Sequence, residues 1–183
     1  MKTSITALQC LAFATLAMSA GLNTTQEYQL RTELKPSQPG KEKYDNLSLG
    51  TTHTGAALND AVLYPSTSDP IKGFTNATNI ALPDGGFYQH QEFDLGGDFP
   101  WGLSVQPANS YSAWAPVRIN VGQGDAAFYL NETGLQYSAP TTFGGWIVCD
   151  WWHGVPQLFA KLSHFDLELP SSCVDVYLKP TYI

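Results

Sequence analysis

The residues best suited to chemistry lie in one run, Gly144 to Phe159: Gly-Gly-Trp-Ile-Val-Cys-Asp-Trp-Trp-His-Gly-Val-Pro-Gln-Leu-Phe. Asp150 and His153 stand three positions apart. An imidazole titrates near neutrality and a carboxylate can orient it, so the two are a candidate acid-base pair for a hydrolase. No serine or cysteine in a nucleophile elbow accompanies them, and the plainer reading makes His153 a hydrogen-bonded turn residue before Gly154. A second chemistry is binding. In a strand, Trp146, Val148, Asp150 and Trp152 share one face, and Ile147, Cys149, Trp151 and His153 the other. Cys149 beside Ile147 and Trp151 marks the expected core face. Trp146, Asp150 and Trp152 then point outward as a candidate ligand-binding strip, in which flat indoles stack on apolar sugar faces and the carboxylate accepts hydroxyl hydrogen bonds. The competing reading buries both indole faces under loops, as is usual for tryptophan.

Other carboxylates are less specific. Asp94 and Asp98 flank the Gly96-Gly97 pair, where a Ca²⁺ loop is conceivable, or a glycosidase pair with Asp125 or Glu92. Asp and Gly are also the ordinary residues of a solvated turn. His53-Thr-Gly-Ala-Ala-Leu-Asn-Asp60 gathers a His, an Asn and an Asp among small residues and could join Asp150 and His153 in one polar cluster. No phosphate loop, dinucleotide fingerprint or zinc-protease pattern occurs, and no metal or cofactor is expected.

The elements that must hold these residues read as short strands. Tyr28–Leu34 and Val117–Val121 alternate apolar and polar residues. Further strands are expected at Leu47–Thr54, Ala61–Tyr64, Gly86–Gln89, Gln91–Leu95, Trp101–Gln106, Ala126–Leu130, Gly134–Ser138 and Cys173–Leu178. Ile147–Trp152 and Gln157–Leu162 form a hairpin across His153–Pro156. Gly55–Asp60 reads as a turn or one short helical piece, and Pro65–Gly85 as turn-rich and polar. Sixteen glycines and twelve prolines punctuate the chain, and no amphipathic helix stands out. The expected fold is all-β, a single-domain sandwich or barrel of about ten short strands with one disulfide.

Residues 1–20 have the basic start, apolar run and small-residue end of a secretory signal peptide, which leaves 21–183 as one secreted β domain. Cys10 leaves with that leader. Cys149 and Cys173 remain and are expected to bond in an oxidising compartment, closing a loop of about 25 residues. Sequons at Asn23, Asn46, Asn76 and Asn131 are candidate glycosylation sites. Without Lys2 the chain keeps eight basic and sixteen acidic residues. That balance argues against nucleic acid or an anionic membrane as a partner.

The tryptophan run, together with Pro170-Ser-Ser-Cys-Val-Asp-Val176, the terminal Tyr182-Ile183, His53–Val62, Phe93-Asp-Leu-Gly96 and Phe99-Pro-Trp-Gly102, resembles a family of small secreted fungal proteins of unknown function. In layout it is distantly similar to fungal cell-wall and conidial surface proteins. The resemblance carries over no catalytic residue. It implies a secreted fungal protein, extracellular or cell-wall associated. With the residue reading, it gives a non-catalytic glycoprotein that binds cell-wall polysaccharide or a small ligand. The alternatives are a secreted hydrolase using Asp150 and His153, or a secreted effector that binds a host protein.

Overall fold

The computed structural model describes residues 26–66, 70–107, 112–138, 143–164 and 168–183. The expected leader and Asn23 lie outside them. Twelve strands and one 3-10 turn, Glu42–Tyr44, form within the described residues. The first six strands are β1 Tyr28–Leu34, β2 Leu47–Gly55, β3 Leu58–Pro65, β4 Lys72–Ala81, β5 Phe87–Asp94 and β6 Trp101–Val105. The rest are β7 Trp114–Val121, β8 Phe128–Asn131, β9 Gly134–Tyr137, β10 Phe143–Asp150, β11 Pro156–Leu162 and β12 Cys173–Tyr182. Every pairing between them is antiparallel.

The pairings close into a barrel of nine strands. From β10 the ring runs through β12, β1, β4, β5, β6, β7, β3 and β11, and β11 pairs with β10 again. The pleat sends alternate side chains inward. Tyr28 and Leu30 of β1, Val117 and Ile119 of β7, Val148 of β10, and Val174, Val176 and Leu178 of β12 are all inside and at most 2 % exposed. Strand β2 bridges β1 and β3 outside the ring, and the β8–β9 hairpin leaves it at β5. Phe128, Leu135 and Tyr137 of that hairpin belong to the same core.

Two departures from the expected strands stand out, one added strand and one shortened turn. Strand β4 lies in the segment read as turn-rich. Only its Gly73 and Phe74 are buried, so Thr75 to Ala81 carries no apolar alternation, and its order comes from pairing with β5. The Gly55–Asp60 turn contracts to Ala56-Ala57, with Ala57 at a positive φ of 61°, and β3 begins at once.

Burial on the outer face of β5 has a measurable consequence. Glu92 is fully buried and accepts from Asn76 Nδ2 at 2.6 Å, while its other oxygen has no partner among the described residues. Burial raises its pKa above the ordinary 4.5, against the opposing effects of the Asn76 hydrogen bond and the His90 charge. Below the unfolded value both states hold the proton. Above it the unfolded chain ionises first, so stability falls with rising pH until the folded carboxyl also ionises. From pH 4 to pH 7 in urea, the native protein is expected to lose more stability, or gain less, than Glu92→Gln. Identical pH slopes in the two proteins would contradict it.

Candidate functional site

Strand β10 fixes the direction of everything in the tryptophan run. Its side chains alternate as the sequence suggests, but inside and outside are exchanged. Trp146 does not face solvent. It is 1 % exposed, points into the barrel with Val148, and donates from Nε1 to the Leu135 carbonyl at 2.6 Å. Ile147 and Cys149 take the outer face, where Phe159 and Cys173 join them in a second small core beside Trp114 and Leu169. Both faces of β10 are apolar and covered, so alternation alone could not say which was interior. The Cys149–Cys173 disulfide is present and joins directly opposed residues of β10 and β12.

The strand ends at Asp150, and its alternation ends there too. Residues 151–155 turn, with Gly154 N–H donating to the Trp151 carbonyl and Gly154 at φ +76°, a region open to glycine. Trp151 is therefore not buried with Cys149. It is 48 % exposed, and one edge of its ring meets Phe159 at 5.4 Å between centroids. Trp152 is 73 % exposed. The expected strip of Trp146, Asp150 and Trp152 is thus replaced by two adjacent indoles on a turn.

A buried strut holds that turn. His153 Nε2 lies 2.8 Å from Asp60 Oδ2, with the side chains only 3 % and 11 % exposed. The Asp60 carboxylate also faces Arg118 Nε at 3.5 Å, and Arg118 Nη1 donates to Gln106 Oε1. Asp60 and Arg118 are paired residues of β3 and β7. On its other side, the His153 ring lies 3.7 Å from the Trp152 ring, tilted by 37°. The chain of contacts runs from the barrel wall through Asp60 and His153 to an exposed indole.

Asp150 takes no part in it. Its carboxylate pairs with Lys43 at 2.8 Å on the surface, and that hydrogen bond holds its pKa below the ordinary carboxylate value. The Asp150–His153 pair required by the hydrolase reading is not formed, because the turn swings His153 across to β3. The imidazole has a carboxylate partner in Asp60, but a ring sealed between that carboxylate and an indole has no open face for a substrate. Its role in this arrangement is positional. Of the His53–Asp60 segment, Asp60 reaches His153. Asn59 instead donates from Nδ2 to the Ile119 carbonyl and His53 stays exposed.

Of the remaining candidate carboxylates, Asp125 and Asp94 serve local structure. Asp125 Oδ2 accepts from the Tyr137 hydroxyl and the Val105 amide, both at 2.8 Å. Asp94 Oδ1 accepts from the Gly96 amide, and Asp98 lies exposed in the same turn. Among the sequons, Asn46 and Asn131 are exposed. Thr133 donates from both backbone and hydroxyl to Asn131 Oδ1. Asn76 is half-buried against Glu92.

A family model described as a domain of unknown function, DUF7907, matches residues 25–182. The match takes in the strut and both exposed indoles. No curated protein and no solved structure matches the chain.

Proposed function

The chain belongs to the DUF7907 family, and from the geometry of its outer face we propose that it is a secreted fungal protein of the extracellular space or cell wall that binds polysaccharide without cleaving it. One observation carries the reading: two consecutive tryptophans stand 48 % and 73 % exposed on a turn that the Asp60–His153 strut holds in place. Exposing large rings has a solvation cost, and a contiguous exposed apolar surface on a protein this rich in buried aromatics marks a contact site. Indoles suit sugars because a flat ring covers the apolar face of a pyranose. Preorganising the rings lowers the ordering cost of binding. Asp150 at the end of β10 and its partner Lys43 of the Glu42–Tyr44 turn, each about half exposed or more, supply a hydrogen-bond acceptor and donors for hydroxyls. The leader-like N-terminus, the cysteine pair and the sequons support the extracellular part of the reading.

Co-sedimentation of the purified protein with chitin, β-glucan, mannan and cellulose tests this. At least one polysaccharide is expected to retain the native protein, and Trp152→Ala to lose about tenfold or more in affinity while unfolding at nearly the same urea concentration. Equal retention of the native and Trp152→Ala proteins would sink the proposal, as would failure to bind any of the four.

A further inference from the structure

A second feature of the molecule lies apart from the tryptophan turn. Lysines are scarce in this acidic chain, yet three of them line two neighbouring depressions at the β10–β11–β12 edge. The smaller, of about 230 Å³, is bounded by Lys35, Phe143, Gly144, Gly145, Gln136 and Tyr177, among others. The larger, of about 540 Å³, has Lys41, Lys161, Asp175 and the exposed Glu168 in its wall.

Immediately around Asp175 the charges do not balance. Lys35 Nζ and Lys161 Nζ lie 3.7 and 2.5 Å from one and the same oxygen, Asp175 Oδ1, and all three side chains are about three-quarters buried. A single carboxylate between two ammonium groups leaves one positive charge uncompensated in a partly desolvated place, where charge interacts strongly. Burial lowers the pKa of Lys35, and the nearby Lys161 charge adds to this, against the pull of Asp175. Lys41 donates to an uncharged acceptor, the Ser171 carbonyl. The floor is rigid, since Gln38 bonds both the amide and the carbonyl of Asp175 at 2.8 Å.

The backbone makes room for the Lys35 ammonium at the wall of the smaller depression. The β10–β11 register slips between Phe143 and Gly145, a bulge of the kind found beside functional sites. Gly145, at φ +117°, pairs with Lys161, and a Cβ there would sit 2.8 Å from Lys35 Nζ. The missing side chain of Gly145 thus lets the Lys35 ammonium lie against the backbone. Beside it the Tyr177 ring lies 5.4 Å from Lys35 Nζ.

We propose that Lys35, Asp175 and Lys161 form the floor of an anion site that takes the carboxylate or phosphate of a small ligand, the charged group entering the smaller depression beside Lys35 and Gly145. An incoming oxyanion supplies the missing negative charge and relieves the repulsion between the two lysines. Thr133 and Gln136 at the rim of the smaller depression suit the hydroxyls of an acidic sugar. The site shares no residue with the tryptophan turn, so each reading stands or falls separately.

Amide NMR of the purified protein at pH 7 and constant ionic strength tests the site, with inorganic phosphate, galacturonate and glucose titrated in turn. Saturable shifts of the Gly144, Gly145, Lys161 and Asp175 amides are expected with phosphate, galacturonate or both, and none with glucose. Response to both anions assigns the site to the oxyanion alone. Response to galacturonate only assigns it to an acidic sugar. Lys35→Gln is expected to weaken binding about tenfold or more, Lys35→Arg to retain it, and Trp152→Ala to leave it unchanged. The proposal is overturned if neither anion shifts these amides, or if Lys35→Gln, with a native spectrum, binds as well as Lys35→Arg.

Discussion

Replacing Trp146 with alanine is expected to lower the stability of the fold by about 3–5 kcal/mol, the range for deleting a large buried aromatic side chain. Its indole is 1 % exposed and packs on Phe143 at 4.8 Å between ring centroids. It joins the ring to the β8–β9 hairpin through the Leu135 carbonyl. Truncation would leave both a cavity and a buried acceptor without its donor, and the second effect adds about 1 kcal/mol or more. Neither applies to Trp152, whose ring is mostly in water, and Trp152→Ala is expected to cost less than about 1 kcal/mol. Urea unfolding of the two variants side by side checks the contrast. Equal losses would mean that the indole buried in the barrel is not the one described.

The disulfide carries the next largest effect. Cys149→Ser is expected to cost about 2–5 kcal/mol. The bridge closes a separation of 24 residues, and so restricts the unfolded chain. It also belongs to the small outer core with Ile147 and Phe159, which loses packing when the bond is gone. For a domain of this size each kcal/mol shifts the thermal midpoint by about 2–4 °C. Peptide mapping under non-reducing conditions should recover the two cysteines as one linked pair. Free thiols at both positions in the purified protein, or an unchanged midpoint in Cys149→Ser, would contradict this.

Much of the barrel was legible because its strands obey simple alternation. Tyr28–Leu34 shows every second residue buried at its start, and residues 115, 117 and 119 do the same in β7. What escaped has identifiable causes. Strand β4 is polar on both faces over most of its length, so no local pattern marks it. The sense of β10 was hidden because Trp146 and Val148 on one side are as apolar as Ile147 and Cys149 on the other. A barrel with a secondary core outside it covers both. The alternation was also carried two residues too far, past Asp150, which placed Trp151 in the core.

The candidate site was legible in part. The tryptophan run and His153 stood out by composition, and the segment ending at Asp60 was noticeable for its polar residues among small ones. That the segment could join His153 was readable as a possibility, but not that Asp60 would be its partner or that Asp150 would be left out. Asp60 and His153 are 93 positions apart, and they meet because β3 pairs with both β11 and β7, a tertiary arrangement that leaves no trace in spacing. Arg118 and Lys43 gave no signal at all. Each is an ordinary basic residue on an exposed face until its partner is known.

The central claim is that Trp151 and Trp152, and not the buried indole, meet the ligand. The five tryptophans give five indole N–H signals in a proton–nitrogen correlation spectrum, assignable by single Trp→Phe substitutions. Titration with soluble oligosaccharides of whichever polysaccharide retains the protein is expected to shift the Trp151 and Trp152 signals along a saturable curve, while the Trp146 signal stays in place. Saturable binding that leaves both exposed indoles unmoved would contradict the account and place the site elsewhere on the barrel.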